Sequence, residues 1–480
     1  MQLSNLVQYV LMAFLICNAT ASPFLTVHPG TAKDLVISKS DTVNATAPAP
    51  VVELAPRAAN VRELRARMGR RRFGKFGNKT SGKLPLSIVN NLPGSHSLNV
   101  YVTGLDSSSR LVMLRPNGKF FYPTVNETAT TPQPIKERTN IRIGRYGTTT
   151  NITIPDWISS ARVWVADGEL KFFTVYVAGN TGPSLVEPSA VNPSDPSADV
   201  NWGFVELTNT KENGLFANIS YVDFVGLVLG MSLVSRGGPV QTAEGLSANA
   251  VSVICDALAA QAEQDGQPWG NLCLANSAGT PLRVISPNDF ISISPNAFQD
   301  YWSSYVDEMW TYYAKNNLTI NTQSSAGNVN CSVSNGTLYC AGDNRGYAQP
   351  TAGDIFGCNS GPFQILSTDN LVHKAVVPRL CAAFTRTTLM LNGGQVQPAL
   401  NSTNYYTTEP TSYYSKFVHE NEMDGKGYAF SYDDVTPDTA INQAGVVADP
   451  RPELLTIVVG GPLSESSVRS SNSVVSRVGG

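Results

Sequence analysis

Charge is scarce in this 480-residue chain: Lys, Arg, Asp and Glu make up 15% of it, 34 basic residues against 37 acidic, for a formal net charge of −3. A nucleic-acid partner needs a basic face, and so few cations in an acidic balance exclude one. Histidine is rarer still, with four in all. His419-Glu420 lacks the second histidine of an H-E-x-x-H zinc site. No C-x-x-C pair or His-rich spacing occurs, so no metal site is expected. Beyond the N-terminus no apolar run reaches the ~20 residues of a membrane-spanning helix, and no membrane contact is expected. Neither a P-loop nor a dinucleotide-binding glycine pattern follows a strand. Gly357-Cys-Asn-Ser-Gly361 has the wrong spacing for a serine nucleophile elbow. Nothing here calls for a metal or organic cofactor.

Cysteine, too, is confined. After Cys17, within an N-terminal apolar stretch, the six others lie at 255, 273, 331, 340, 358 and 381. Leu6–Cys17 followed by Ala19-Thr20-Ala21 reads as a secretory signal over residues 1–21. In an oxidising compartment the six cysteines form three disulfides, and closeness in sequence favours Cys331–Cys340, then Cys255–Cys273 and Cys358–Cys381. Ten N-x-S/T sequons suit a secreted glycoprotein. One of them, Asn218, is expected to be bare, because a glycan there would obstruct the acids described below. Residues 22–82 form a polar, weakly periodic leader, expected to be disordered, that ends in the basic run Arg65–Arg72. Removal as a propeptide after Arg72 and persistence as a solvated linker both fit.

The rest divides by pattern. From Leu84 to about Leu233, short runs such as LNVYVTGL, ARVWVA and FVEL, separated by Gly and Asn turns, read as antiparallel strands of a barrel or sandwich. After Pro239 helical spacing appears at Leu246–Gln264, at Asn296–Ala314 and at Leu371–Met390, the last interrupted at Pro378. The aromatic stripe Phe298, Trp302, Tyr305 and Trp310 is read as core. Gly425–Val435 reads as turn, strand and acidic turn, and Glu453–Val459 as a last strand. The expected organisation is mainly β with an α/β portion: a β-barrel over 83–235, a mixed α/β domain with the disulfides over 236–390, a return to the barrel over 391–462, and a disordered Ser-rich tail over 463–480.

The most informative stretch is Trp202–Gly230, WGFVELTNTKENGLFANISYVDFVGLVLG, which sets Glu206 and Asp223 inside apolar, strand-like runs. A carboxylate among Phe, Val, Tyr and Leu loses hydration and must be paired or used. Two such acids in different protonation states suit general acid–base hydrolysis. The plainer alternative is that one pairs with an arginine or takes backbone N–H bonds. Glu206, beside Val205, Leu207 and Phe204, can keep its proton by desolvation. Asp223 must stay ionised, with Asn218, Ser220 or backbone donors as candidate helpers. Thr208 shares the Glu206 face of the strand and can hydrogen-bond a sugar hydroxyl; Asn218 is a second candidate. Abundant Asn, Ser, Thr and aromatics suit a neutral sugar ligand.

The segments Glu206-Leu-Thr208, Gly214–Gly226 and Asp424–Val435 resemble the signature regions of glycoside hydrolase family 64, endo-β-1,3-glucanases whose bacterial members release laminaripentaose. The resemblance covers roughly residues 83–462. It implies a thaumatin-like β-barrel beside a smaller α/β domain with a wide groove between them, β-1,3-glucan as partner, and an inverting mechanism. Glu206 would be the general acid and Asp223 the general base, with carboxyls about 6.5–9.5 Å apart to admit a water. Asp433 and Asp434 are kept out of the catalytic set. The protein is expected to be a secreted monomer, in the medium or at a cell wall. Rival readings are a non-catalytic thaumatin-like β-glucan-binding wall protein and a structural wall glycoprotein, which would leave the embedded acids unexplained.

Overall fold

The computed structural model describes residues 24–35, 42–44, 82–177, 182–438, 440 and 444–461. The signal, the basic run and the Ser-rich tail lie outside the described residues. The fold is mainly β, with several sheets and few helices. An eight-stranded antiparallel sheet carries, as neighbours, Val446–Asp449, Gly214–Asn218, Asn201–Thr210, Ile158–Asp167, Leu98–Asp106, Leu111–Leu114 and Phe120–Phe121, with Ile141–Arg142 also paired to Leu98–Asp106. A five-stranded sheet runs Gln241–Ala243, Leu229–Ser235, Pro452–Val459, Leu84–Asn90 and Thr149–Ile154, and the pairing of Pro452–Val459 with Leu84–Asn90 is parallel. The C-terminal strands thus return to complete both sheets.

Alternation decides which residues face where. Along Asn201–Thr210, Val205, Leu207 and Asn209 are buried on one face, while Glu206, Thr208 and Thr210 on the other keep partial exposure. The central strand Leu98–Asp106 is buried throughout, as a strand covered on both faces must be.

Residues 236–435 carry four helices of eight or more residues: Ala250–Asp265, Ser303–Tyr313, Leu371–Thr385 and Tyr413–Glu420. The first three match the expected helices, with differences that have local causes. Asn296–Ala314 is helical only from Ser303, because Phe298 sits at φ 58° in the left-handed region and breaks the spiral. The helix expected to be interrupted at Pro378 runs through it; burial of nearly every residue from Ala375 to Thr385 outweighs the lost N–H. Phe298, Trp302, Tyr305 and Trp310 are all buried, as expected of core. All three disulfides form as expected: Cys255–Cys273, Cys331–Cys340 and Cys358–Cys381.

Two further segments differ from expectation. Gly425–Val435 forms turns and bends rather than a strand. Its Asp433 is fully buried and takes the Ala429 backbone N–H at 2.8 Å, which folds the segment back on itself. Within the leader, expected to be disordered, Leu25–Thr26 pairs in parallel with Leu274–Ala275 and Thr42–Asn44 pairs with Ser184–Val186, while residues 45–81 lie outside the described residues.

Candidate functional site

Antiparallel register builds the site. Thr103, Arg162, Glu206 and Asn218 stand directly opposite one another on four successive strands, so their side chains form one polar row across a single face of the sheet. Two residues along, Tyr101, Trp164 and Phe204 form a parallel aromatic row on that face. Trp164 and Phe204 pack edge to face at 5.0 Å, and Trp202 meets Phe224 at 4.6 Å. The polar row therefore borders a dry aromatic floor.

A continuous hydrogen-bond chain links the row. The Trp164 indole N–H donates to Thr103 Oγ1 at 3.0 Å, and the Thr103 hydroxyl donates to Glu187 Oε1 at 3.0 Å. Arg162 Nη1 donates to Glu187 Oε2 at 2.6 Å, and its Nη2 reaches Glu206 Oε1 at 3.4 Å. Asn218 Nδ2 donates to the other Glu206 oxygen at 3.2 Å. The Arg162 guanidinium also lies over the Phe204 ring at 4.5 Å, a cation–π contact. Glu206 keeps 25% of its side chain exposed, whereas Glu187 keeps 1%. Only the first can meet a ligand.

Charges follow the geometry. Burial works against the Arg162 cation, but Glu187, Glu206 and Asp223 outweigh it and hold the guanidinium more firmly protonated. Burial pushes the Glu187 carboxyl up, with the Arg162 cation and the Thr103 hydroxyl pulling the other way.

Asp223 departs from expectation. It is not embedded in a strand but exposed at a bend just before Phe224–Val225. Its field nonetheless reaches Arg162, so both predicted acids act on one guanidinium. The bend is held by backbone. Asp223 O accepts from Ser286 N at 2.7 Å, Tyr221 N donates to Tyr428 O at 2.7 Å, and Tyr414 Oη donates to Tyr221 O at 2.5 Å. Close crossing requires Gly226, where a Cβ would lie 2.1 Å from Trp202 O. Asn218, expected as a helper of Asp223 or a sugar contact, instead binds Glu206. It is buried at 3% exposure, which leaves no room for a glycan on its amide. Thr208 lies one alternation beyond Glu206 on the same face, its hydroxyl accepting from Ser160 N at 3.3 Å.

The C-terminal motif serves a different purpose. Asp433 pairs with Arg386 at 2.8 Å and with His419 Nε2 at 2.9 Å, while His419 Nδ1 meets Glu422 at 2.9 Å. This buried cluster ties the helix Tyr413–Glu420, which bears Tyr414, to the segment whose Tyr428 binds Tyr221. It is a buttress behind the Asp223 bend. Among the described residues no group of three or more His, Cys, Asp or Glu could hold a metal ion, and no helix is long and apolar enough to cross a membrane.

Arg162, Glu187 and Thr103 were not singled out from the sequence. The signal for Arg162 was present: a lone cation in the strand run Ala-Arg-Val-Trp-Val-Ala invites the same question as a lone acid. Glu187, in a Pro/Ser loop, gave none.

Residues 82–459 match the family described as beta-1,3-glucanase, glycoside hydrolase family 64. The chain is 26% identical over 282 residues to glucan endo-1,3-beta-glucosidases of Cellulosimicrobium cellulans and of Arthrobacter sp. (strain YCWD3). Each match covers 58% of this chain and 48% of the relative, so the chain spans about half the length of these two proteins. A laminaripentaose-producing β-1,3-glucanase solved in complex with laminaritetraose superposes at a TM-score of 0.67 and 26% identity, over 79% of this chain and 98% of that one. A β-1,3-glucanase domain from Clostridium beijerinckii shares the fold at 0.59 and 20% identity, over 79% and 98% of the two chains.

Proposed function

Given that the chain belongs to glycoside hydrolase family 64, the β-1,3-glucanases, we propose that it cleaves β-1,3-glucan internally, with Glu206 as general acid and Asp223 as general base. The observation that carries this reading is the pairing of unlike environments around one cation. Glu206 is partly desolvated beside the aromatic floor, and Asp223 stands exposed at a bend; both act on Arg162. A carboxyl in the drier place can protonate a glycosidic oxygen, and one facing water can activate it. Inversion follows if the water enters between them, which requires carboxyls ~6.5–9.5 Å apart. Thr208, on the Glu206 face, is proposed to bind a glucose hydroxyl. Asn218 acts on the sugar only through Glu206.

The reading extends to a thaumatin-like barrel flanked by the 236–390 region, with the glucan in a groove between them. It extends also to secretion after removal of residues 1–21, and to action as a monomer on wall-type glucan without a cofactor. The similarity to the laminaritetraose-bound enzyme supports the substrate class. The test is incubation of the protein with curdlan or laminarin, followed by sizing of the soluble oligosaccharides. Release of oligosaccharides by wild type and not by E206Q or D223N is expected. Tight glucan binding without any release would make the chain a binding protein and overturn the reading.

A further inference from the structure

Arg162 poses a difficulty for Glu206 as a proton donor. A guanidinium beside a carboxyl favours the carboxylate and commonly lowers its midpoint by ~1–3 pH units. An acid so held would have no proton to give near neutral pH. The structure resolves this through Glu187. Arg162 spends its short contact, 2.6 Å, on Glu187, and leaves a long one, 3.4 Å, for Glu206. Glu187 is buried at 2% exposure and fixed on its other oxygen by the Thr103 hydroxyl, itself oriented by the Trp164 indole. With Thr103 and Arg162 both donating, Glu187 is an acceptor on each oxygen, and these two donors favour its anion against the burial that pushes the carboxyl up.

We propose that Glu187 is a positioning residue for proton donation, taking up the Arg162 charge so that Glu206 retains its proton in the working enzyme. This rests on the reading of Glu206 as general acid. The groups placed around Glu206 by register and hydrogen bonding fit this role. Arg162 on the Ile158–Asp167 strand and Glu187 after the Ser184–Val186 strand form a nearly neutral pair. Asp223, on the segment before Phe224–Val225, adds negative charge that also favours a protonated Glu206. Asn218 on the next strand is neutral, and its amide serves either state: the nitrogen donates to a carboxylate, and the turned-over oxygen accepts from a carboxylic acid. Thr208 and Phe204 on its own strand carry no charge. The aromatic floor under Arg162 keeps the guanidinium from swinging wholly onto Glu206, since it lies over Phe204 at 4.5 Å and Trp164 at 5.5 Å.

The experiment uses the full chain and two readouts. The first is the pH profile of kcat/KM on laminarin for wild type, E187Q and E187D. In E187Q the alkaline limb is expected to move ~1–3 pH units toward acid, with kcat falling ~10-fold or more near the wild-type optimum and KM little changed. E187D, which keeps the charge, should restore most of the profile. The second readout does not depend on the substrate. The Glu206 carboxyl is titrated by NMR in 13C-glutamate-labelled protein, its resonance assigned by its loss in E206Q. Its midpoint should fall in E187Q and rise in the double variant R162M/E187Q, which removes the pair without leaving a buried charge unpaired. An unmoved Glu206 midpoint in both variants overturns the proposal, whatever the activity. Shifted midpoints in a protein without glucanase activity would instead refute the function and leave the electrostatic assignment standing.

Discussion

His419 should make this protein lose stability as the pH rises, and the structure sets the size of the loss. Its ring lies between Glu422 and Asp433, each at 2.9 Å, with its side chain only 11% exposed. Burial opposes the imidazolium, but the two carboxylates outweigh it and push the midpoint up to about 10. In the unfolded chain the midpoint is ~6.5. A raised midpoint means that the folded state holds a proton the unfolded state has released. The stabilisation is therefore complete below pH ~6.5 and disappears as the pH passes through about 10. At ~1.4 kcal/mol per pH unit, the whole effect is on the order of 5 kcal/mol. Glu422 adds to the same slope at lower pH. Burial pushes it up to about 7, so the folded state binds a proton in excess between ~4.5 and 7. Asp433, held below its usual range against burial by His419 and Arg386, acts in the opposite sense only at more acid pH. The assay is urea unfolding at pH 7, 8 and 9 of wild type and of H419N/E422Q, a variant in which no buried Glu422 is left to titrate once the His419 cation that holds it down is gone. Wild type should lose ~1.4 kcal/mol per pH unit relative to the variant, so the gap between them narrows steadily toward pH 9. Parallel curves would refute the reasoning, because they would show that His419 is neutral in the folded state.

Other outcomes follow from the same structure. E206Q and D223N should each lower kcat on laminarin by ~10²–10⁴-fold while leaving glucan binding near wild type, as reducing-end and pull-down assays would show. G226A puts a Cβ 2.1 Å from Trp202 O and should cost ~1–3 kcal/mol in urea unfolding; activity should fall further, because the displaced segment carries Asp223. Replacing Cys255 and Cys273 by Ala removes a link across a sequence separation of 18 and should cost ~3 kcal/mol, read as a lower thermal midpoint.

Legibility from sequence followed the range of the interaction. The strands Leu98–Asp106, Ile158–Asp167 and Asn201–Thr210 could be read because alternation and β-branched or aromatic content are local properties. The three disulfides could be read because each closes a short loop. Glu206 could be read because a charge inside an apolar run is conspicuous wherever it occurs. Asp223 was found for the same reason but misplaced. The run Tyr221-Val-Asp-Phe-Val looks buried, and only the crossing at Gly226 and the ties to Ser286 and Tyr428 turn the acid outward. Gly425–Val435 was misread as a strand because its defining contacts, Asp433 with Arg386 47 residues away and with His419 on the preceding helix, are made by the tertiary fold and leave no mark in the segment's own pattern.

By itself, then, the sequence determined the β-rich class, the disulfides and the two acids, together with the family that the match over residues 82–459 shows. Tertiary structure alone decided what stands beside Glu206. Arg162 is 44 residues from Glu206, and Glu187 lies between them in sequence, 25 residues from Arg162, and no periodicity of the strands encodes their meeting. Register does. Pairing Arg162 with Glu206, and Glu206 with Asn218, is a property of strand alignment, and a one-residue slip would send every one of these side chains to the opposite face. The reactive character of an acid depends on its neighbours' charge and dryness, and those neighbours are chosen by the fold.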